Sequence, residues 1–221
     1  AHAYSHILYK ALLFMGAGAV IQATGKSKLS ELGGLAPKMR GVLILFMIGA
    51  FSISGFPLFN GFISKSIIVS SAGKAHLEAV MLLLFLASVG TFLSIGLKIP
   101  AFTFWGEDRK LEVKKLPWNM YAAMGVVAFL CLFYGILPKS LYGILPFEMK
   151  YHPYTAYHLI ESTQLLIFTF IGFWVLRGKL AGKPYIALDT DWFYRRLSNP
   201  ALRLIIDPIN AVFAFGAQGR G

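Results

Sequence analysis

Long apolar runs alternate with short polar, basic segments along this chain. Runs at residues 4–23, 41–54, 119–137 and 159–176 approach or reach the roughly 20 apolar residues that a transmembrane helix needs. Between the second and third lies a longer apolar region, residues 59–99, interrupted by Gly73, Lys74, Ala75 and His76. As one straight helix it would run about 60 Å, twice the hydrocarbon thickness. It is therefore expected to be either two crossings or one discontinuous helix. The segment before it, Ser54 to Gly61, holds one proline and two glycines, the chemistry of a tight helix-to-helix turn. Non-helical backbone at membrane depth persists only where protein buries it or a wet cavity adjoins it, which marks 73–76 as a candidate cavity. The pattern predicts an all-α membrane protein. A bundle of about five transmembrane helices, one of them discontinuous, occupies residues 1–176, and an amphipathic tail comes after it over 177–221.

Composition agrees. Of 221 residues, 57% are hydrophobic and 14% charged, against about 25% charged in ordinary soluble domains, and the mean hydropathy is +0.64. The formal net charge of +11 could suggest a nucleic-acid partner. The basic residues flank apolar spans, however, so the simpler account is topology, and no nucleic acid is expected. If residues 59–99 make one net crossing, the loops 24–40 and 100–117 and the tail from Arg177 share a side. That side then carries 15 of the 21 Lys and Arg, against Lys139 and Lys150 opposite, with Lys74 unassigned. Two crossings there would nearly erase the bias. One broken helix is therefore expected, in a multi-pass protein of the cell (inner, cytoplasmic) membrane, with a cytoplasmic tail and an outer N-terminus. The chain opens on Ala1 without the basic start of a secretory signal, which is expected of a piece of something longer or of a chain lacking its initiator.

Charge inside the apolar runs narrows the chemistry. An ionisable side chain in hydrocarbon costs at least about 2.5–3.5 kcal/mol on insertion scales, so such residues default to a functional hypothesis. His2, His6 and Lys10 are spaced i, i+4, i+8 and form one polar stripe on a helix. Imidazole accepts a proton on one nitrogen and donates from the other near neutral pH, and a lysine among apolar neighbours responds to small changes in nearby charge. Lys65 follows the Pro/Gly turn, flanked by Asn60, Ser64 and Ser66, which could hold a few waters. Lys98 lies before Pro100 with Ser94 and Thr91 one and two turns earlier. These five are the candidate proton-relay residues. Each competes with a bland alternative in which a long cationic side chain snorkels to water, most strongly at Lys98. Glu161, at the end of the last span, fits an interface or packing role better than a pathway.

Other chemistry is missing. There is no phosphate loop, dinucleotide fingerprint, His/Cys metal spacing or nucleophile elbow, so no cofactor, metal or catalytic site is expected in this chain. Gly16 and Gly18 fit close helix packing, and Cys131, alone in an apolar run, is filler. In the tail, Trp192, Phe193 and Tyr194 beside Arg195 and Arg196 suit an anchor at the lipid headgroups, ahead of docking onto a neighbouring protein of the same complex.

The segment HAYSHILYKALLFMGAGAVIQATGKSKLSELGGLAPKMR followed by LFMIGAFSISGFPLFNGFISKSIIV closely resembles the antiporter-like subunits of respiratory complex I, Mrp-type sodium/proton antiporters and membrane-bound energy-converting hydrogenases. The resemblance covers about seventy residues and rests on the His/Lys helix, the GGLAPKM loop and the GFPLFNGFISK turn. It implies two inverted five-helix repeats in a full-length subunit, with a lysine relay across mid-membrane. This chain then matches the second repeat and the region after it, the tenth to fourteenth helices, the twelfth broken. The resemblance makes Lys10 the central-axis lysine, Lys65 the lysine of the broken helix at the terminal site, and His6 the residue between. It also implies a multi-subunit membrane complex as partner, including a chain that supplies the missing first repeat. The tail LDTDWFYRR is similar to the D-type Mrp and hydrogenase-like branch. The expected function is proton, or less favoured cation, translocation in a redox-driven or Mrp-type complex. The alternative is a non-conducting structural subunit; quinone binding has no sequence support beyond association with such complexes.

Overall fold

The computed structural model describes residues 1–181 and, in the tail, residues 192, 194, 196, 198, 200 and 202–210. Among the described residues all regular structure is helical. Helix α1 spans His2–Thr24 and stops at Gly25, whose left-handed φ of 70° lets its N–H close on the Ile21 carbonyl in the usual helix-ending geometry. Its buried side, including Ser5, Tyr9, Leu12, Gly16 and Ala19, repeats at three- and four-residue steps. Its other side exposes Ile7, Phe14 and Ile21. Apart from the His2–His6–Lys10 stripe, both sides are apolar, as in a helix of a membrane or a large core.

Helix α2, Arg40–Ser54, runs antiparallel to α1: Gly16 lies against the Phe46 ring, and Gly49 against Leu12 and Leu13. It ends at Gly55 (φ 83°), and after a turn in which Leu58 also takes a positive φ of 74° the chain re-enters a helix, α3, over Asn60–Lys74. Pro57 has no N–H to continue α2, and Gly55 takes the left-handed angle. Helix α3 carries on in the direction of α2. Its start abuts Ser52, near the end of α2, its Ser64 meets His2 at the beginning of α1, and Gly73 near its end faces Met81.

The chain then reverses through Ala75, His76 (φ 55°) and Leu77 into α4, Glu78–Thr91. A π-helical stretch, Phe92–Lys98, joins α4 to α5, Ile99–Phe104, as one helical run of 27 residues. The π turn has a local cause. Pro100 offers no N–H to the Gly96 carbonyl and its ring crowds that carbonyl, so the preceding turn widens. This run descends antiparallel to α2, with Gly96 beside Ser54 and the Phe104 ring 5.9 Å from that of Phe46. Helix α6, Trp118–Ile136, rises again, a short α7, Pro138–Tyr142, comes next, and α8, Ala156–Leu180, descends. The α8 start is capped by Thr155, whose hydroxyl accepts from the His158 N–H at 3.3 Å.

The expected fold class holds: about five passes, one of them discontinuous. The position of the break is corrected. The discontinuous pass is α2–α3, broken at 55–59, and residues 59–99 form a helical hairpin whose turn at 75–77 is exposed. The polar residues at 73–76 mark where two helices leave the bundle, and they do not line a mid-depth cavity. The number of passes is unchanged, so loops 25–39 and 105–117 and the end of α8 still gather at one basic end. There the two loops clamp together through Ala36 N–H to the Phe104 carbonyl (2.9 Å), Lys38 Nζ to the Leu111 carbonyl (3.2 Å) and Lys114 N–H to the Ala23 carbonyl (2.9 Å). Asp108 joins the clamp 3.5 Å from Lys38. Its carboxyl is held below the ordinary range by the Lys110 backbone N–H, with the Lys38 charge adding to the effect.

The main core lies between α1, α2 and α6, around Tyr9, Leu12, Phe46, Met124 and the free, buried Cys131. The tail is a separate unit whose described residues are helical. Of its proposed anchor, Trp192, Tyr194 and Arg196 are described, and Phe193 and Arg195 lie outside the described residues.

Candidate functional site

The break between α2 and α3 concentrates polar groups where the helices around it are apolar. Ser52, Ser54, Asn60, Ser64 and Ser66 are all buried there. Ser54 Oγ donates to the Ala50 carbonyl at 2.5 Å, Ser66 Oγ to the Ile63 carbonyl at 2.9 Å, and Ser52 Oγ to Asn60 Oδ1. Asn60 Nδ2 and, on α1, Ser5 Oγ are buried with no partner among the described residues. Buried polar groups are nearly always satisfied, and groups left over in this way are the ones that hold internal water.

Beside this seam is a cavity of about 310 Å³. Helix α1 contributes His2, His6 and Lys10 to its wall, and α3 contributes Lys65. Tyr9, Ser88 and Thr91 also line it, with Ile53, Leu84 and Ile95 among the apolar residues between them. Four of the five sequence candidates thus share one space. Lys98, at the end of the π stretch, does not line it. The two lysines arrive there for different reasons. Lys10 follows His2 and His6 along one helix face, its Nζ 5.9 Å from the Phe14 ring centroid, where a cation gains from the ring's quadrupole. Lys65 stands on the second turn after the break, its stem packed against Gly55.

The histidines are ordered into a string. His2 and His6 rings are 6.0 Å apart, and His6 and Tyr9 rings 5.3 Å. His2 Nδ1 and Ser64 Oγ are 3.0 Å apart, and the Ser64 hydroxyl donates to the Gly61 carbonyl at 3.3 Å. With the Ser64 hydroxyl donating to Gly61, His2 Nδ1 is placed to donate to Ser64 Oγ. His6 is exposed on the side of α1 that no described residue covers.

Sequence reasoning missed Tyr9 and Ser88 and set Thr91 beside Lys98, because single hydroxyls in apolar helices are common and nothing local separates these from the rest. It also set Glu161 aside. A second, smaller cavity of about 40 Å³ is lined by both Lys65 and Glu161. A larger cleft, about 690 Å³ between α5 and α8, is apolar, touches none of these residues, and carries Arg177, stacked 4.3 Å over Trp174, at its rim.

Residues 1–94 match the family described as NADH:quinone oxidoreductase/Mrp antiporter, transmembrane. Over residues 1–94 the chain carries this family's transmembrane domain and is similar to antiporter-like membrane subunits. Its relatives include NADH-ubiquinone oxidoreductase chain 5 of Phytophthora infestans, 30% identical over 64% of this chain and 22% of that protein. Hydrogenase-4 component B of Escherichia coli is 34% identical over 59% of this chain and 21% of its own length. A Na(+)/H(+) antiporter subunit of Alkalihalophilus pseudofirmus is 30% identical over 63% and 19%. The chain therefore spans about a fifth of the length of these relatives. The relatives are subunits of multi-subunit membrane complexes, and this antiporter-like chain is a multi-pass membrane protein.

Proposed function

We propose that this chain carries part of a proton route through the membrane, in which Lys10 and Lys65 exchange protons through their shared cavity with His6 and His2 as intermediates. The observation that carries this reading is the meeting of two lysines and two histidines, from helices far apart in sequence, around one space beside a helix break. A structural role needs no such convergence, and each charge costs insertion energy that function must justify. Coupling between the lysines is electrostatic. Two unit charges 10 Å apart interact by about 1.7 kcal/mol at an effective dielectric near 20, more than a tenfold shift in proton occupancy. Charging one lysine therefore favours proton loss from the other, and a redox step or an opposing ion gradient elsewhere in the complex drives the cycle.

Protons are favoured over sodium because the cavity offers imidazoles, ammonium groups and hydroxyls, with no carboxylate among its lining residues. The basic end faces the cytoplasm by the positive-inside rule, which puts Ala1, the 75–77 turn and residues 137–155 outside. The uncovered His6 face of α1 is where a further helical repeat of the same complex packs, closing the cavity against lipid.

Lys10→Ala and Lys65→Ala test the reading in the assembled complex. In inverted membrane vesicles each should lower proton uptake by about 100-fold while the complex still assembles. Undiminished uptake in either variant would return the chain to a scaffolding role.

A further inference from the structure

We infer that Glu161 is the proton outlet of this chain, taking the proton from Lys65 and releasing it at the end of the bundle opposite the basic loops. This rests on the relay reading above and adds the group through which the relay discharges.

The argument is the order of spaces. Lys65 lines the 310 Å³ cavity that holds Lys10 and also the 40 Å³ cavity that holds Glu161. Ser88 stands at both, and Ser66 and Ser54 line the smaller one. At about 10–15 Å³ for each water centre, that smaller space accommodates about three or four waters beside Lys65 and Glu161. Glu161 in turn lines an open bowl of about 460 Å³ on the first turns of α8, where Tyr157 and Gln164 are the other polar residues and Phe85, Ile160, Leu165 and Phe168 make the rest of the wall apolar. Lys10, Lys65, Glu161 and the bowl therefore form one sequence in space, assembled from α1, α3 and α8. Among the described residues, Glu161 is the only carboxylate lining any of these three spaces.

The surroundings of Glu161 suit release. Its side chain is 20% exposed, so it reaches both the interior and the bowl. His158, one turn earlier on α8, places Nδ1 3.8 Å from Glu161 Oε2, and His158 Nε2 is 2.9 Å from the Tyr151 hydroxyl. The Tyr151 contact holds the imidazole beside the carboxylate. The titratable groups facing Glu161 are Lys65 from α3 and Tyr157 and His158 from α8; α4 presents only Phe85 and Ser88.

In the transfer, an N–H bond of the Lys65 ammonium breaks and an O–H bond forms on the Glu161 carboxylate, with water in the small cavity as the bridge. Lys65 is left neutral and Glu161 protonated. Glu161 then loses its proton to water in the bowl, and Lys65 is recharged from the Lys10 side.

Glu161→Gln keeps size and shape and removes the titrating group. In vesicles bearing the assembled complex it should lower proton uptake by about tenfold or more, and Glu161→Asp should recover much of the loss. Wild-type uptake in Glu161→Gln, or no recovery in Glu161→Asp, overturns the outlet. If Lys65→Ala is inactive in the same assay, the relay still stands and discharges elsewhere; if Lys65→Ala is active, the relay itself has failed. Should Glu161→Gln not assemble, Glu161→Cys in the assembled complex gives an independent reading. A membrane-impermeant methanethiosulfonate ammonium reagent should modify it from the face opposite the basic loops, and modification from the basic face only, or none, overturns the proposal.

Discussion

Lys65 and Lys98 are both lysines in apolar helices with a proline nearby, yet only Lys65 meets the cavity shared with Lys10. The difference lies in which neighbours the fold delivers. Lys65 has the polar seam of the α2–α3 break on one side and the His2–His6–Lys10 face on the other, whereas Lys98 belongs to the π stretch below it. Lys98→Met is accordingly expected to leave proton uptake close to wild type while Lys65→Met abolishes it. Equal losses in the two variants would contradict the division. His2, His6, Lys10 and Lys65 were legible in the sequence because a charge or imidazole inside an apolar run is costly and therefore conspicuous. Glu161 and Ser88 were not, since a polar residue near a helix end has an ordinary explanation until the fold sets it beside Lys65.

The α2–α3 junction is the element on which the site depends. Gly61, at its start, lies so close to the Ser52 carbonyl that a Cβ there would collide with it. Because the obstacle is backbone, relief requires moving a helix end, and Gly61→Ala should cost about 3 kcal/mol or more. The expected result is a clear fall in thermal stability of the solubilised complex, and an unchanged melting temperature would mean that the junction is looser than described. A second close approach, at the basic end, sets the GGLAPKM loop on Glu107 and Asp108. Gly34 has φ 66° and room for no Cβ, which would come within 2.6 Å of the Asp108 Cα. Gly34→Ala combines backbone strain with that clash, about 1–3 kcal/mol from strain alone. It should loosen the clamp, seen as faster proteolysis at 105–117 without loss of the relay. The sequence marked 54–61 as a turn from its glycines and proline, but assigned the long break to 73–76. Apolar length alone cannot tell a hairpin of two passes from one broken pass. The deciding fact is that α3 continues the path of α2, a relation carried by contacts such as His2 with Ser64 that no local pattern encodes.

At the scale of the molecule, the distribution of charge and the order of passes agree. Loops 25–39 and 105–117 and the end of α8 collect at one end, and the turn at 75–77 and residues 137–155 at the other. Single cysteines at Lys28 or Lys115 should react with an impermeant reagent from the cytoplasmic face, and at His76 or Lys150 from the opposite face. Cys131 is buried and should stay silent. Reaction of positions 76 and 115 from the same side would overturn the order of passes. The central claim is that Lys10 and Lys65 communicate through an open, polar space. Ser88, on α4, lines that space without belonging to either lysine's helix. The most direct test is proton uptake per turnover by vesicles in which Ser88→Leu fills the space with hydrocarbon, beside Ser88→Ala, which leaves it open. The account predicts that Ser88→Leu abolishes uptake although both lysines remain and that Ser88→Ala largely retains it. Full uptake through the filled cavity would contradict the account.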